Sequence, residues 1–193
     1  PSTIVPSPTA TPDAAQIAEL LVGGENFRLQ GRLNKALDAY NTALELDPEN
    51  ADAYAGRGHV YLDLEDYDTA LADEDRAIEL DEDCQQAYSL RGSLYSVVFA
   101  DYDAAEADFN RAIELDPSDH EALNDRAALY LSMHEWERAI DDLDRALAIG
   151  GFAMGYYNRG YAYRRLDEDE QAVEDLTNAI ILYPYFVSAY YER

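Results

Sequence analysis

The feature that most constrains this chain is a phrase that returns at fixed spacing. Pro48, Pro117 and Pro184 close "ALELDP", "AIELDP" and "AIILYP", 69 and 67 residues apart and so close to twice 34. The midpoints are filled by "AIELDED" at 77–83 and "ALAIGGF" at 146–152. Self-similarity at a period of a few tens of residues marks a stack of small units, each burying its apolar face against the next. The units read as 17–50, 51–84, 85–119, 120–152 and 153–186, with a partial sixth at 187–193. The third carries one extra residue, placed here in the "SVVFADY" turn near Ala100, and in the fourth "IGG" replaces the usual Asp-Pro.

Each unit reads as two amphipathic helices. Tyr54, Gly58, Tyr61 and Leu64 recur at helical spacing in the first helix of the second unit, and Ala70, Ala77 and Leu80 in its second. A polar turn, "DLEDYD", separates them, and the second helix stops before Asp-Pro or Asp-Glu because proline cannot continue a helix. Aligned, the units share an aromatic at the fourth place (Tyr54, Tyr88, Tyr156, Tyr190) and a small residue at the eighth (Gly24, Gly58, Gly92, Ala127, Gly160). A second aromatic stands at the eleventh place (Phe27, Tyr61, Tyr95, Tyr130, Tyr163). Alanine stands at the twentieth (Ala36, Ala70, Ala105, Ala139, Ala172) and twenty-seventh (Ala43, Ala77, Ala112, Ala146, Ala179).

These positions resemble the tetratricopeptide repeat family over 17–193. The resemblance implies an all-α, right-handed superhelical solenoid of antiparallel helix pairs, five repeats plus a partial sixth. It also implies that first helices line a concave groove and second helices form the outer face.

One pattern needs no relative to interpret it. The seventh residue of the units is Gly23, Arg57, Arg91, Arg126, Arg159 and Arg193, and the twenty-third is Ala39, Asp73, Asp108, Asp142 and Asp175. The one complete unit without the Arg also lacks the Asp. A partly buried charge needs its partner, so Arg57–Asp73, Arg91–Asp108, Arg126–Asp142 and Arg159–Asp175 are expected as structural ion pairs. Arg76, Arg111 and Arg145, three residues past Asp73, Asp108 and Asp142, are expected to add pairs along the helix.

Composition excludes several functions. Forty Asp and Glu against fourteen Lys and Arg give a net charge of −26, which repels nucleic acid and anionic lipid. Lys35 is the single lysine. Cys84, alone and in acidic "LDEDCQQ", reads as a small buried hydrophobe, not a reactive thiol. His59, His120 and His134 lack metal-ligand spacing, and the acidic turns lack the alternating ligands and glycine of a calcium loop. No nucleophile elbow or phosphate loop is present. The sequence therefore points to no enzyme, metal or cofactor. No apolar run is long enough to span a bilayer.

Residues 1–16, "PSTIVPSPTATPDAAQ", hold four of the seven prolines and read as an extended tether. Such a Pro/Ser/Thr stalk favours an extracytoplasmic or cell-surface location on a bacterial protein, with a cytoplasmic one as the alternative.

The resemblance directs attention to the groove. The family's carboxylate clamp for acidic tails needs Lys, Arg and Asn where this chain has Leu21, Glu25, Gly56, His59, Ser89, Leu90, Glu121, Asn124 and Asp125, so a basic or apolar segment is the expected ligand. Eleven of the sixteen tyrosines are explained by core places or helix packing; the five left, Tyr157, Tyr161, Tyr183, Tyr185 and Tyr191, are all near the C-terminus. Tyr157, Tyr161 and Tyr191, with Asn158, Arg164, Arg165, Asn124 and Asp125, form the candidate peptide-binding groove, since Tyr and Arg dominate interface energetics. The competing reading is that these rings cover the end of the stack. The leading function is a non-catalytic protein-interaction scaffold. The alternatives are a structural spacer or self-associating module on a stalk, and a regulatory array attached to an enzyme elsewhere. Tyr183, Phe186, Val187 and Tyr190 are expected to leave an apolar C-terminal face that supports weak self-association.

Overall fold

The computed structural model describes residues 14–193. The tether expectation lies mostly outside these residues, but its last three do not: the first helix already begins at Ala14. Eleven α-helices make up the described residues: α1 (Ala14–Leu29), α2 (Leu33–Leu46), α3 (Ala51–Asp63), α4 (Tyr67–Leu80), α5 (Gln85–Leu94), α6 (Tyr102–Leu115), α7 (His120–Ser132), α8 (Trp136–Ile149), α9 (Ala153–Arg165), α10 (Asp169–Leu182) and α11 (Val187–Glu192). They fall into two compact units that divide between Cys84 and Gln85. In the first, α1 packs on α2 and α3 on α4; in the second, α5 pairs with α6, α7 with α8 and α9 with α10, and α11 packs on α10.

Local chemistry sets the helix ends. Asn50 caps α3 by accepting from the Ala53 amide at 2.9 Å, Asp66 caps α4, Asp101 caps α6, and one Asp119 oxygen accepts from both Glu121 and Ala122 at the start of α7. First helices close on a left-handed residue: Gly31, Glu65, Ala100, His134 and Asp167, with φ between 53° and 69°. Only the first of these is glycine, the residue that adopts this conformation without strain.

The extra residue of the third repeat is not in the turn. It is absorbed one step earlier, where Tyr95–Phe99 form a single π-helical turn after α5. Ala100 then keeps the left-handed turn position, and the Asp101 amide donates back to the Tyr95 carbonyl at 2.9 Å. The wider turn pushes apolar side chains out: Val97 is 82% exposed.

Alanine lets paired helices approach. All ten alanines of the twentieth and twenty-seventh places are buried. A Cβ added at Gly160 would meet Leu176 Cγ at 3.0 Å and the Ala172 carbonyl at 3.2 Å, so a side chain there would press on the crossing helix. The twenty-fourth place supplies the large plug: Tyr40, Phe109, Leu143 and Leu176, all buried, with fully buried Glu74 in the second repeat.

The recurring arginines are staples. Arg57, Arg91, Arg126 and Arg159 each donate through Nε and Nη2 to both oxygens of Asp73, Asp108, Asp142 and Asp175, at 2.6–2.8 Å. The four aspartates are buried, and the guanidinium groups of Arg57, Arg91 and Arg159 lie between the aromatics of the fourth and eleventh places, while Arg126 has Tyr130 alone. The bond to Asp73 holds the Arg57 guanidinium above its usual pKa. A third contact was not anticipated. Nη1 of Arg57, Arg126 and Arg159 reaches Asn41, Asn110 and Asp144 on the preceding repeat's second helix. Each of these three staples therefore ties three helices. The expected pairs along the helix differ in part: Arg145 reaches Asp142 at 3.6 Å, but Arg76 turns the other way to Glu79 at 2.9 Å, and Arg111 lies 3.7 Å from Glu114.

Candidate functional site: the first-helix face

The first-helix face differs between the two units. In the N-terminal unit it is closed by its own charges. Arg28 on α1 holds Glu25 in a bidentate pair at 2.7 and 2.8 Å and reaches Asp63 on α3 at 3.1 Å. These bonds hold the Glu25 carboxyl below its ordinary value, while burial followed by the nearby Arg28 lowers the pKa of His59. Among the described residues of α1 and α3, both arginines, Arg28 and Arg57, are thus already paired with acids.

In the C-terminal unit the face carries a run of rings. Tyr157 and Tyr161, one turn apart on α9, lie 6.4 Å between centroids. Tyr157 continues to Phe186 at 4.7 Å, and Phe186 to Tyr183 at 6.0 Å. In the other direction Tyr161 meets Trp136 edge-on at 6.2 Å, and Trp136 stacks on His134 at 5.0 Å. Arg165 covers Tyr161 at 4.7 Å and donates to its hydroxyl. Burial pushes the Tyr157 hydroxyl pKa up.

Beside the rings lies a polar strip. Asn158 donates to the Asn124 side chain at 3.0 Å, fastening α9 to α7. Asn124 in turn contacts Asp125 at 3.4 Å. Asp125 is pushed up to a pKa of about 6, chiefly by burial, with Glu121 and Asp119 adding repulsion that the Asn124 contact only partly offsets.

Of the residues proposed from the sequence, the structure thus brings together Tyr157, Tyr161, Asn158, Asn124, Asp125 and Arg165. Arg164 is turned to the end of the chain, where it holds the Glu192 carboxylate at 2.8 Å and its carbonyl at 2.6 Å. Tyr191 stands 87% exposed and outside the run of rings. His134 was missed because it sits in a turn place where the repeats share no residue type, and Trp136 because the aromatic of the second-helix start, Tyr67 and Tyr102 in two other repeats, was not read as facing the first helices. The recurrence of an aromatic at that place, and Trp136 being the single tryptophan, were the available signals. Phe186, expected on the exposed C-terminal face, is half-buried against Leu176, Ala179 and Ala189, while Val187 and Tyr190 remain exposed.

Among the described residues no group of His, Cys, Asp or Glu is placed to hold a metal, and no helix is long and apolar enough to cross a membrane. A depression of about 520 Å³ lies at the π-turn, between Phe99, Tyr102 and Met133, away from the rings of α9.

Family models described as tetratricopeptide repeat match residues 51–84, 85–119 and 155–185, with a further one over 109–141 and a TPR repeat model over 24–65. The chain belongs to the tetratricopeptide repeat family. Solved structures agree. The tetratricopeptide repeat protein YrrB, described as having an unusual peptide-binding site, superposes with a TM-score of 0.68 at 25% identity, covering 92% of each chain. The first repeat domain of Spaghetti bound to an HSP90 peptide matches with a TM-score of 0.57 at 26% identity, over 65% of this chain and 98% of that one. Among curated relatives, the Hsc70-interacting protein 1 of Drosophila melanogaster is 32% identical over 80 residues, 42% of this chain and 21% of its own length. The human serine/threonine-protein phosphatase 5 is 43% identical over 58 residues, 30% of this chain and 12% of its own length. The tetratricopeptide repeats here thus span a small part of such relatives, down to 4% of the peptide N-acetylglucosaminyltransferase of Giardia intestinalis.

Proposed function

We propose that this tetratricopeptide repeat protein is a non-catalytic interaction scaffold whose C-terminal first-helix face binds an extended, basic or apolar segment of a partner protein. The observation that carries the reading is the run of Tyr157, Tyr161, Trp136 and Phe186, a set of large half-buried rings with polar side chains at its edge. Such rings supply contact area at low entropic cost. Peptide binding in YrrB and in the Spaghetti domain supports the class of ligand. The HSP90 peptide's acidic residues do not suit this face, where Asp125 and Glu121 replace the basic clamp.

The test is a paired capture from the source organism's extract with the wild-type chain and with Trp136→Ala/Tyr157→Ala. Partners lost only from the variant, whose circular dichroism is unchanged, support the reading. Identical partner sets for both proteins overturn it.

A second reading, weak self-association, is favoured by α11, whose Val187 is 79% and Tyr190 49% exposed. Sedimentation of wild type against Val187→Ser/Tyr190→Ser checks it: equal association in both discards it. For location, the Pro, Ser and Thr content of residues 1–16 supports a stalk on an exported protein, and fractionation of the source cells decides between that and the cytoplasm.

A further inference from the structure

The rings of this protein divide into two sets by what lies over them. In the frame, Tyr54, Tyr61, Tyr88, Tyr95, Tyr130, Tyr156 and Tyr163 each carry a guanidinium at 3.9–6.0 Å. Among the described residues, no cation lies over Trp136, Tyr157 or Phe186. The same face holds a carboxyl, Asp125, whose one hydrogen-bonding side chain is the neutral Asn124. Aromatic faces attract guanidinium groups, and carboxylates take them in bidentate geometry.

We propose that the C-terminal first-helix face is a receptor for an arginine side chain on a partner's extended segment, with the guanidinium pairing to Asp125 while the flanking chain lies on Tyr157 and Trp136. This rests on the groove reading above and names the chemistry of its ligand.

The arginine comes from another protein and not from a second copy of this chain. All thirteen arginines are already engaged: four are frame staples, and Arg28, Arg76, Arg111, Arg138, Arg145 and Arg164 pair with acids. Arg32, Arg165 and Arg193 lie over Phe27, Tyr161 and Tyr190. The net charge of −26 steers a cationic segment toward the chain. Lysine is the poorer fit, because an ammonium lacks the planar fork that spans a carboxylate and stacks on a ring.

Pairing is coupled to protons. Asp125 shares α7 with His120, Glu121 and the capping Asp119; on the neighbouring helices uncharged Gln85 and Ser89 of α5 bond to each other and to Asp119, and Asn158 of α9 bonds to Asn124. An arriving guanidinium is then the one cation beside this carboxyl, and it drives off the proton that burial otherwise retains. With a carboxyl titrating at about 6, the ionised fraction falls about tenfold from pH 7 to pH 5.

The probe is a short blocked peptide of Gly, Ser, Pro and Ala with one central arginine, compared with versions carrying lysine or citrulline, its neutral isostere. Binding is read from the Trp136 indole and the Tyr157 ring by NMR. Arginine is expected to bind at least about tenfold more tightly than citrulline and more tightly than lysine, with affinity falling about tenfold between pH 7 and pH 5. Asp125→Asn should remove both the citrulline difference and the pH dependence while keeping the ring signals dispersed. Equal binding of all three peptides, or a pH dependence that survives in Asp125→Asn and so belongs to a histidine, overturns the arginine anchor but leaves the groove standing. Failure of every peptide to move the rings overturns the anchor and counts against the groove itself.

Discussion

Arg91 and Asp108 show what the repeated charge does at the scale of one residue. The carboxylate is buried and takes two hydrogen bonds from one fork, so either partner alone is left with a charge it cannot hydrate. Arg91→Met and Asp108→Leu should each destabilise by about 3 kcal/mol, and the double variant by far less than their sum. Urea unfolding of the four proteins measures this, and additive costs would refute the pairing. Asp125 behaves oppositely. Its folded carboxyl keeps a proton up to about pH 6, above the unfolded value of 3.8. Between these values the folded state binds more protons, so this group makes stability fall as pH rises and its full cost is present above about pH 6. Asp125→Asn should therefore gain on the order of 2 kcal/mol at pH 7, gain little below pH 4, and flatten the slope between. The Arg and Asp places were legible because the first repeat lacks both at once, which ties two distant positions within one chain. Asn41, Asn110 and Asp144 were not, since mixed Asn and Asp on a polar outer helix look like ordinary solvated surface.

At the scale of the element, the helix pairs could be read because proline, alanine and tyrosine recur in fixed places and each has one physical use. The turns were harder. Glu65 sits at φ 61°, a left-handed conformation that costs a side chain about 1 kcal/mol and that nothing in "DLEDYD" announces. Glu65→Gly should raise stability by about 0.5–1 kcal/mol, seen as a higher urea midpoint at unchanged slope; a loss would mean the glutamate side chain contributes more than its backbone costs. The π-turn was misplaced for a related reason. An added residue counts the same in sequence wherever it is absorbed, and only the backbone bonds at Tyr95 show that the helix, not the loop, took it up.

For the whole molecule, sequence showed the helix pairs and the acidity, whereas the division at Cys84 and the pairing of Trp136 with α9 depend on contacts that no periodicity encodes. A charge of −26 opposes compaction through its own repulsion. Raising sodium chloride from low concentration to about 0.5 M should increase the melting temperature, and scanning calorimetry showing no increase would mean the staples and local pairs already neutralise that field. The third reach of the Arg57, Arg126 and Arg159 staples has a further consequence, one for how such a chain can lengthen. A repeat brings its own Arg and Asp with it, and for this polar contact asks of whatever precedes it an oxygen on one turn of the outer helix, which Asn and Asp both supply. A duplicated copy of residues 120–152 would find that oxygen waiting. The joint is thus standardised at the level of a single acceptor atom, so the gene can grow by copying whole units without redesigning the seam.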